Sequence, residues 1–184
     1  MRKLARRALT AAAAVSATIA LTAVPAFAAS FTAANNGNVV LADSSTGAVV
    51  VCTSSALTGD ARIGPVPIGT SLLDIASAGF PSCTMGGNPA IVTSQNLPWS
   101  FIVDSYSSGG VTNAHLTGTK LHLEIPSIGC TVEISSPGDV SGTYSNVSSI
   151  LHLEDYDLEV QSAMCLTNYF NVGDSVALIA EYQL

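Results

Sequence analysis

Two copies of one tetrapeptide carry the residue types best suited to chemistry: Leu121-His122-Leu123-Glu124 and Leu151-His152-Leu153-Glu154. In an extended chain the leucines of each fall on one face and the His and Glu on the other. If the two strands are neighbours, His122, Glu124, His152 and Glu154 share one wet face, a donor set that suits a zinc-like ion. The plainer reading of that face is cross-strand His-Glu pairing, each pair contributing well under about 1 kcal/mol. The expected outcome is therefore no resident metal and no cofactor.

Glu154, Asp155, Asp157 and Glu159 form the densest run of acids. Alternating carboxylates can bind calcium, but the Gly and closing Glu of an EF-hand loop are missing. A solvated turn, or a strand edge guarded by charge, is the expected reading. Nucleophilic catalysis has no sequence support. G-x-S-x-G, S-x-x-K and H-E-x-x-H are all absent, and the third histidine, His115, sits in an undistinguished Asn-Ala-His-Leu stretch. Among the aromatics, Trp99, placed directly after Pro98 at a strand start, is expected in the core. Tyr169 and Phe170, in a Thr-Asn-Tyr-Phe-Asn loop, are the expected exposed contact surface.

The elements that must position these residues are strands. From Lys120 to Ile125 and again from Cys130 to Ile134 the chain alternates apolar and polar, with Pro126 to Gly129 between, which reads as a β-hairpin. The wider composition, rich in Ser, Thr, Gly and Val and poor in Lys and Glu, argues against helices. Residues 29 to 37 read as a lead-in, 38 to 42 and 48 to 53 as a hairpin covered on both faces, and 54 to 70 as a connection. Strands are then expected at 71 to 78, 90 to 94, 99 to 106, 141 to 144, 147 to 154, 158 to 164 and 175 to 182, with a loop at 84 to 89. Turn signals at roughly ten-residue intervals give an all-β fold, an antiparallel β-sandwich or barrel of roughly 9–11 strands.

Four cysteines, Cys52, Cys83, Cys130 and Cys165, allow three connectivities. The pairing Cys52–Cys83 and Cys130–Cys165 is preferred, because the two spacings are similar and the flanking stretches echo one another. Each bridge should contribute roughly 3.5 kcal/mol through the entropy of the unfolded chain. The cysteine loops, Leu97-Pro98-Trp99, Gly109-Gly110-Val111-Thr112 and Gly129-Cys130 together resemble a group of small secreted two-disulfide β proteins of actinobacteria with no assigned activity. That resemblance implies a compartment and no site. Pro98-Trp99-Ser100, Asn113-Ala114-His115 and Gly173-Asp174-Ser175 are also similar, in the same order, to pieces of mycobacterial envelope porins, which lack this cysteine pattern.

Arg2, Lys3, Arg6 and Arg7, an apolar run to Val24 and Ala26-Phe27-Ala28 compose a secretory signal peptide over residues 1–28. Residues 29–184 then form a single all-β domain, extracellular or held in the cell envelope, with no transmembrane helix. Its only basic residues are Arg62 and Lys120, set against 13 acids. Such a surface cannot neutralise phosphates, so nucleic acid is excluded as a partner. The function expected is that of a secreted non-enzymatic β domain that binds an extracellular protein, glycan or small molecule, or forms part of the cell surface. The alternatives are an inhibitor or carrier presenting a loop from 54 to 70 or 84 to 89, and an oligomeric envelope pore.

Overall fold

The computed structural model describes residues 28–184. The expected leader therefore lies outside the described residues, apart from Ala28. Twelve strands follow: β1 (Ala28–Asn35), β2 (Val39–Asp43), β3 (Val49–Arg62), β4 (Ser71–Met85), β5 (Asn88–Gln95), β6 (Trp99–Ser107), β7 (Val111–Thr117), β8 (Lys120–Ile125), β9 (Cys130–Ser135), β10 (Val140–Ser145), β11 (Ile150–Cys165) and β12 (Ser175–Gln183). One 3-10 turn, Pro126–Ile128, joins β8 to β9.

All pairings are antiparallel, and they close on themselves. Strands β3, β4, β11 and β12 run continuously. Between them β1 and β2, β5 and β6, β7 and β8, and β9 and β10 lie end to end, each couple facing the same neighbours. The result is a closed 8-strand antiparallel barrel, and its staves follow the order of the chain as an up-and-down meander. Four staves are broken at the waist, at residues 36–38, 96–98, 118–119 and 136–139. Every strand has partners on both sides, which leaves no wholly unpaired strand edge among the described residues.

Both expected disulfides are present, Cys52–Cys83 between β3 and β4 and Cys130–Cys165 between β9 and β11. Both lie toward the same end of the barrel, which also carries the β2–β3 turn, the β4–β5 turn, the 3-10 turn and the long 166–174 loop. We refer to it as the stapled end.

Several expectations are corrected. The lead-in is strand β1, paired with β3 from Ala28 opposite Arg62 to Ala34 opposite Ala56. Residues 54 to 62 continue β3, and the connection is only 63–70. The expected loop at 84 to 89 is a two-residue turn, Gly86-Gly87, so neither proposed inhibitor loop exists in that form. The strands expected at 147 to 154 and 158 to 164 are one strand, β11, whose pairing with β12 shifts register between Asp155 and Leu158. The 38 to 53 hairpin is covered on one face only: Val39, Leu41, Val50 and Cys52 are buried, while Val40, Ala42 and Val51 are not.

The interior is filled. Phe101, Leu123, Ile125, Ile134, Leu151 and Leu158 are fully buried, and Trp99 joins the core as expected. An eight-stranded barrel is just wide enough for side chains to fill it. The internal cavity lined by Leu57, Ile75, Trp99, Thr119 and Tyr182 measures ≈ 20 Å³, about the space one water needs.

Tyr182 is buried against this cavity, and its hydroxyl bonds Ser55 Oγ at 2.8 Å. Burial pushes its phenol up to about 12. The folded state thus holds the proton more tightly than the unfolded chain, whose tyrosines lose it near pH 10. Stability is therefore full below pH ~10 and falls as pH rises toward ~12, by about 2–3 kcal/mol. Urea unfolding at stepped alkaline pH should show this decline. Tyr182→Phe should flatten it while costing about 1 kcal/mol at pH ~7, because Ser55 loses its partner. An equal alkaline decline in the variant would assign it to another group.

Candidate functional site

Each of the three histidines stands between two carboxylates on the outer face. His115 on β7 bonds Asp104 Oδ1 through Nδ1 at 2.7 Å and faces Asp139 Oδ2 through Nε2 at 3.6 Å. His122 on β8 bonds Glu124 at 3.1 Å and lies 3.9 Å from Glu133, which also takes Lys120 Nζ at 2.6 Å. His152 on β11 bonds Glu154 at 3.1 Å and lies 3.4 Å from Glu181. Hydrogen bonding to Lys120 holds the Glu133 carboxyl below the usual carboxylate range. The Tyr156 hydroxyl, and then His152, do the same for Glu154.

The shared four-residue metal face is not formed. Strand β9 separates β8 from β11 where β9 pairs, and His152 lies on the part of β11 that pairs β10 and β12 instead. The two Leu-His-Leu-Glu copies occupy opposite halves of the barrel. Among the described residues no group of three or more His, Cys, Asp and Glu side chains is placed to hold a metal ion.

The acidic run is divided too. Glu154 and Asp157 are exposed, whereas Asp155 is buried. Asp155 Oδ2 accepts the Ser141 N–H at 3.1 Å and Oδ1 accepts the Asp157 N–H at 2.8 Å. The run is thus a capped bulge in β11, with Asp155 turned inward to satisfy backbone donors that the register shift frees.

A shallow groove of ≈ 340 Å³ between β6, β7, β10 and β11 gathers Asp104, Asn113, Thr143, His152 and Glu154. The Asp104–His115 bond is the half of a catalytic relay that orients an imidazole. The other ring nitrogen faces a second carboxylate, that of Asp139, at 3.6 Å, so the imidazole is bracketed by two acids.

At the stapled end the 166–174 loop is firmly held. Thr46 Oγ1 donates to the Tyr169 carbonyl at 2.6 Å, and Gly173 N–H donates to the Val160 carbonyl at 2.9 Å. Tyr169 is exposed and lines a groove of ≈ 310 Å³ with Val49, Met85 and Asn88. Phe170 is 2% exposed. It is therefore corrected from contact residue to core residue, because the loop turns the ring into the same buried apolar cluster that fills the barrel.

One feature of the outer surface escaped the sequence reading. Strand register aligns Ile179, Val40 and Val51 in one outward row on β12, β2 and β3, and Ala177, Ala42 and Val49 in the next. The outward positions of β8 and β9 are instead Lys120, His122, Glu124, Thr131 and Glu133. The signal lies in the continuous Val-Val-Leu and Val-Val-Val runs, in which every second residue faces outward instead of being covered. No family model, no curated protein and no solved structure matches the chain.

Proposed function

We propose that this protein is an exported, non-enzymatic binding domain that engages a protein partner through the apolar face of β2, β3 and β12 at the stapled end. The observation that carries this reading is the pair of outward rows, Ile179-Val40-Val51 and Ala177-Ala42-Val49. A closed barrel has already buried what its own fold requires, so contiguous apolar residues on its outside point to a second surface that covers them. Tyr169 at the edge of this face adds an aromatic anchor of the kind interfaces favour. Export is supported by the two disulfides and by the leader-like first 28 residues. The carrier reading is weakened by the filled interior, which offers no lumen. The pore reading is weakened by an apolar inside and polar flanks, the reverse of a membrane barrel.

The test compares the native protein with Val40→Glu and Val51→Glu, which charge the face without touching the core. Light scattering should show the native protein assembling, or co-sedimentation should show it held by washed cell envelope. Both variants should lose that association at least tenfold with unchanged thermal midpoints. A native protein that stays monomeric and free of the envelope, or variants that associate as before, would sink the reading.

A further inference from the structure

Strand β1 is paired on both sides only at its end. Ala34 and Asn35 face Gln183 and Tyr182 of β12, where β12 finishes. The residues before them, 28–33, pair with β3 alone, from Ala28 opposite Arg62 to Ala33 opposite Leu57. Among the described residues nothing pairs with their other side. This stretch stands at the end of the barrel opposite the disulfides, and it is as long as an average strand. Its outer edge presents main-chain donors and acceptors to another chain.

An edge left open in this way ordinarily carries a device that stops it from pairing: a charge, a proline, a bulge or a cover. Two other stretches of this barrel pair on one side only, and both have one. Beyond Val103, β6 is bulged at Asp104, and Tyr106 donates its hydroxyl to the Val66 carbonyl of the 63–70 loop alongside. Beyond Val160, β11 is bulged at Gln161. Residues 28–33 have none of these. The sequence Ala-Ala-Ser-Phe-Thr-Ala holds no charge and no proline, and its register with β3 is unbroken. Ala29 and Phe31 are half-buried, Phe31 against the core, whereas Ser30 and Thr32 face outward. A strand laid beside β1 would cover the open flank of Phe31.

The occupant that fits is another β1. Residues 28–184 carry 13 acids against Arg62 and Lys120, so two copies repel wherever their acids would meet. Residues 28–42 hold no charged side chain, and the charged residues of β3 opposite β1 are Asp60 and Arg62, one of each sign. Two copies can therefore approach edge to edge here. An antiparallel pair of β1 edges is also self-complementary, because a two-fold axis through it gives each edge the same contact and leaves neither open. We propose that β1 pairs antiparallel with β1 of a second copy of this chain, joining two barrels through one continuous sheet. So short a contact makes a weak, reversible dimer. It is separate from the apolar face of β2, β3 and β12, which lies toward the other end.

Sedimentation velocity across a dilution series tests it. The purified protein should pass reversibly between monomer and dimer, and its amides at residues 29–33 should exchange more slowly in the dimer. Ser30→Lys combined with Thr32→Lys places two positive charges on each edge and touches no core residue. Added lysine lowers the net negative charge of the chain, so general repulsion between copies falls and only a contact at the edge itself is weakened. The double variant should dimerise about tenfold or more weakly, with an unchanged thermal midpoint. Val40→Glu removes association through the apolar face and should leave this dimer intact. A native protein that stays monomeric throughout, a double variant that dimerises as before, or a dimer without slower exchange at residues 29–33 overturns the pairing. A dimer lost in Val40→Glu and kept in the double variant would assign the association to the apolar face, and overturns it equally.

Discussion

Phe101→Ala is expected to lower unfolding stability by about 3–5 kcal/mol, measured as a fall in the urea midpoint with the slope unchanged. Phe101 is fully buried on β6, between Leu73 of β4 and Leu116 of β7 in register, and its ring projects across the barrel interior. There it lies over the bare backbone of Gly142 on β10: a Cβ built on that glycine would stand 3.0 Å from Phe101 Cε2. Removing the ring opens a void that closed staves cannot collapse to fill, because each is hydrogen-bonded on both sides. Gly142→Ala should destabilise as well. Phe101→Ala should relieve that second loss only in part, because the added methyl also meets the His152 carbonyl oxygen at 2.8 Å, and backbone does not move aside. A loss below about 1 kcal/mol for Phe101→Ala would mean that the interior repacks as a fluid core does, contrary to the fold described here.

The β8–β9 hairpin was legible because its two strands obey period two without interruption. Leu121, Leu123 and Ile125 face Ile134, Val132 and Cys130 across β8 and β9, as their alternation requires. The first half was harder to read, because the residues taken as strand breakers serve as bulges. Gly59 lies within the stretch expected as a connection, 54 to 70, yet β3 runs through it. A Cβ there would stand 2.0 Å from the Asp74 carbonyl oxygen, so the close approach of β3 and β4 admits glycine alone. Pro81 lies just beyond the strand expected at 71 to 78, yet β4 continues through it to Met85, and it sits where β4 and β5 shift register between Phe80 and Cys83. Its missing N–H is least costly at such a point. Breakers inside a long stave curve it, and a barrel needs that curvature.

The candidate site was less legible than the fold for a different reason. Period two tells which side of a strand a residue faces, but not which strand lies beside it. The matching Leu-His-Leu-Glu copies both put His and Glu outward, yet their adjacency depended on stave order, which only the pairings supply. The apolar outer rows depend on register between β12, β2 and β3 in the same way.

The two disulfides should differ in what they protect, although each constrains a loop of similar length. Cys52–Cys83 spans 31 residues and Cys130–Cys165 spans 35, so replacing either pair by alanine should cost roughly 3.5 kcal/mol in global stability. Their surroundings are unequal. Cys52 and Cys83 lie in strands flanked on their other sides by Val39 of β2 and Ala90 of β5. Beyond Val160, by contrast, which bonds the Asp174 carbonyl and the Gly173 N–H, β11 has left β12 and pairs only with β9. The last residues of β11 therefore form a flap held on one side, and the Cys130–Cys165 bridge fastens its tip just before the 166–174 loop. Cys130→Ala with Cys165→Ala should accordingly raise amide hydrogen exchange across residues 161–174 well above that of the native protein. The Cys52→Ala, Cys83→Ala pair should leave exchange there close to native at equal distance from the unfolding transition. Equal loosening of the loop in both variants would show that its order comes from the buried Phe170 and from the Thr46–Tyr169 and Gly173–Val160 hydrogen bonds, with the bridge acting on the unfolded chain alone.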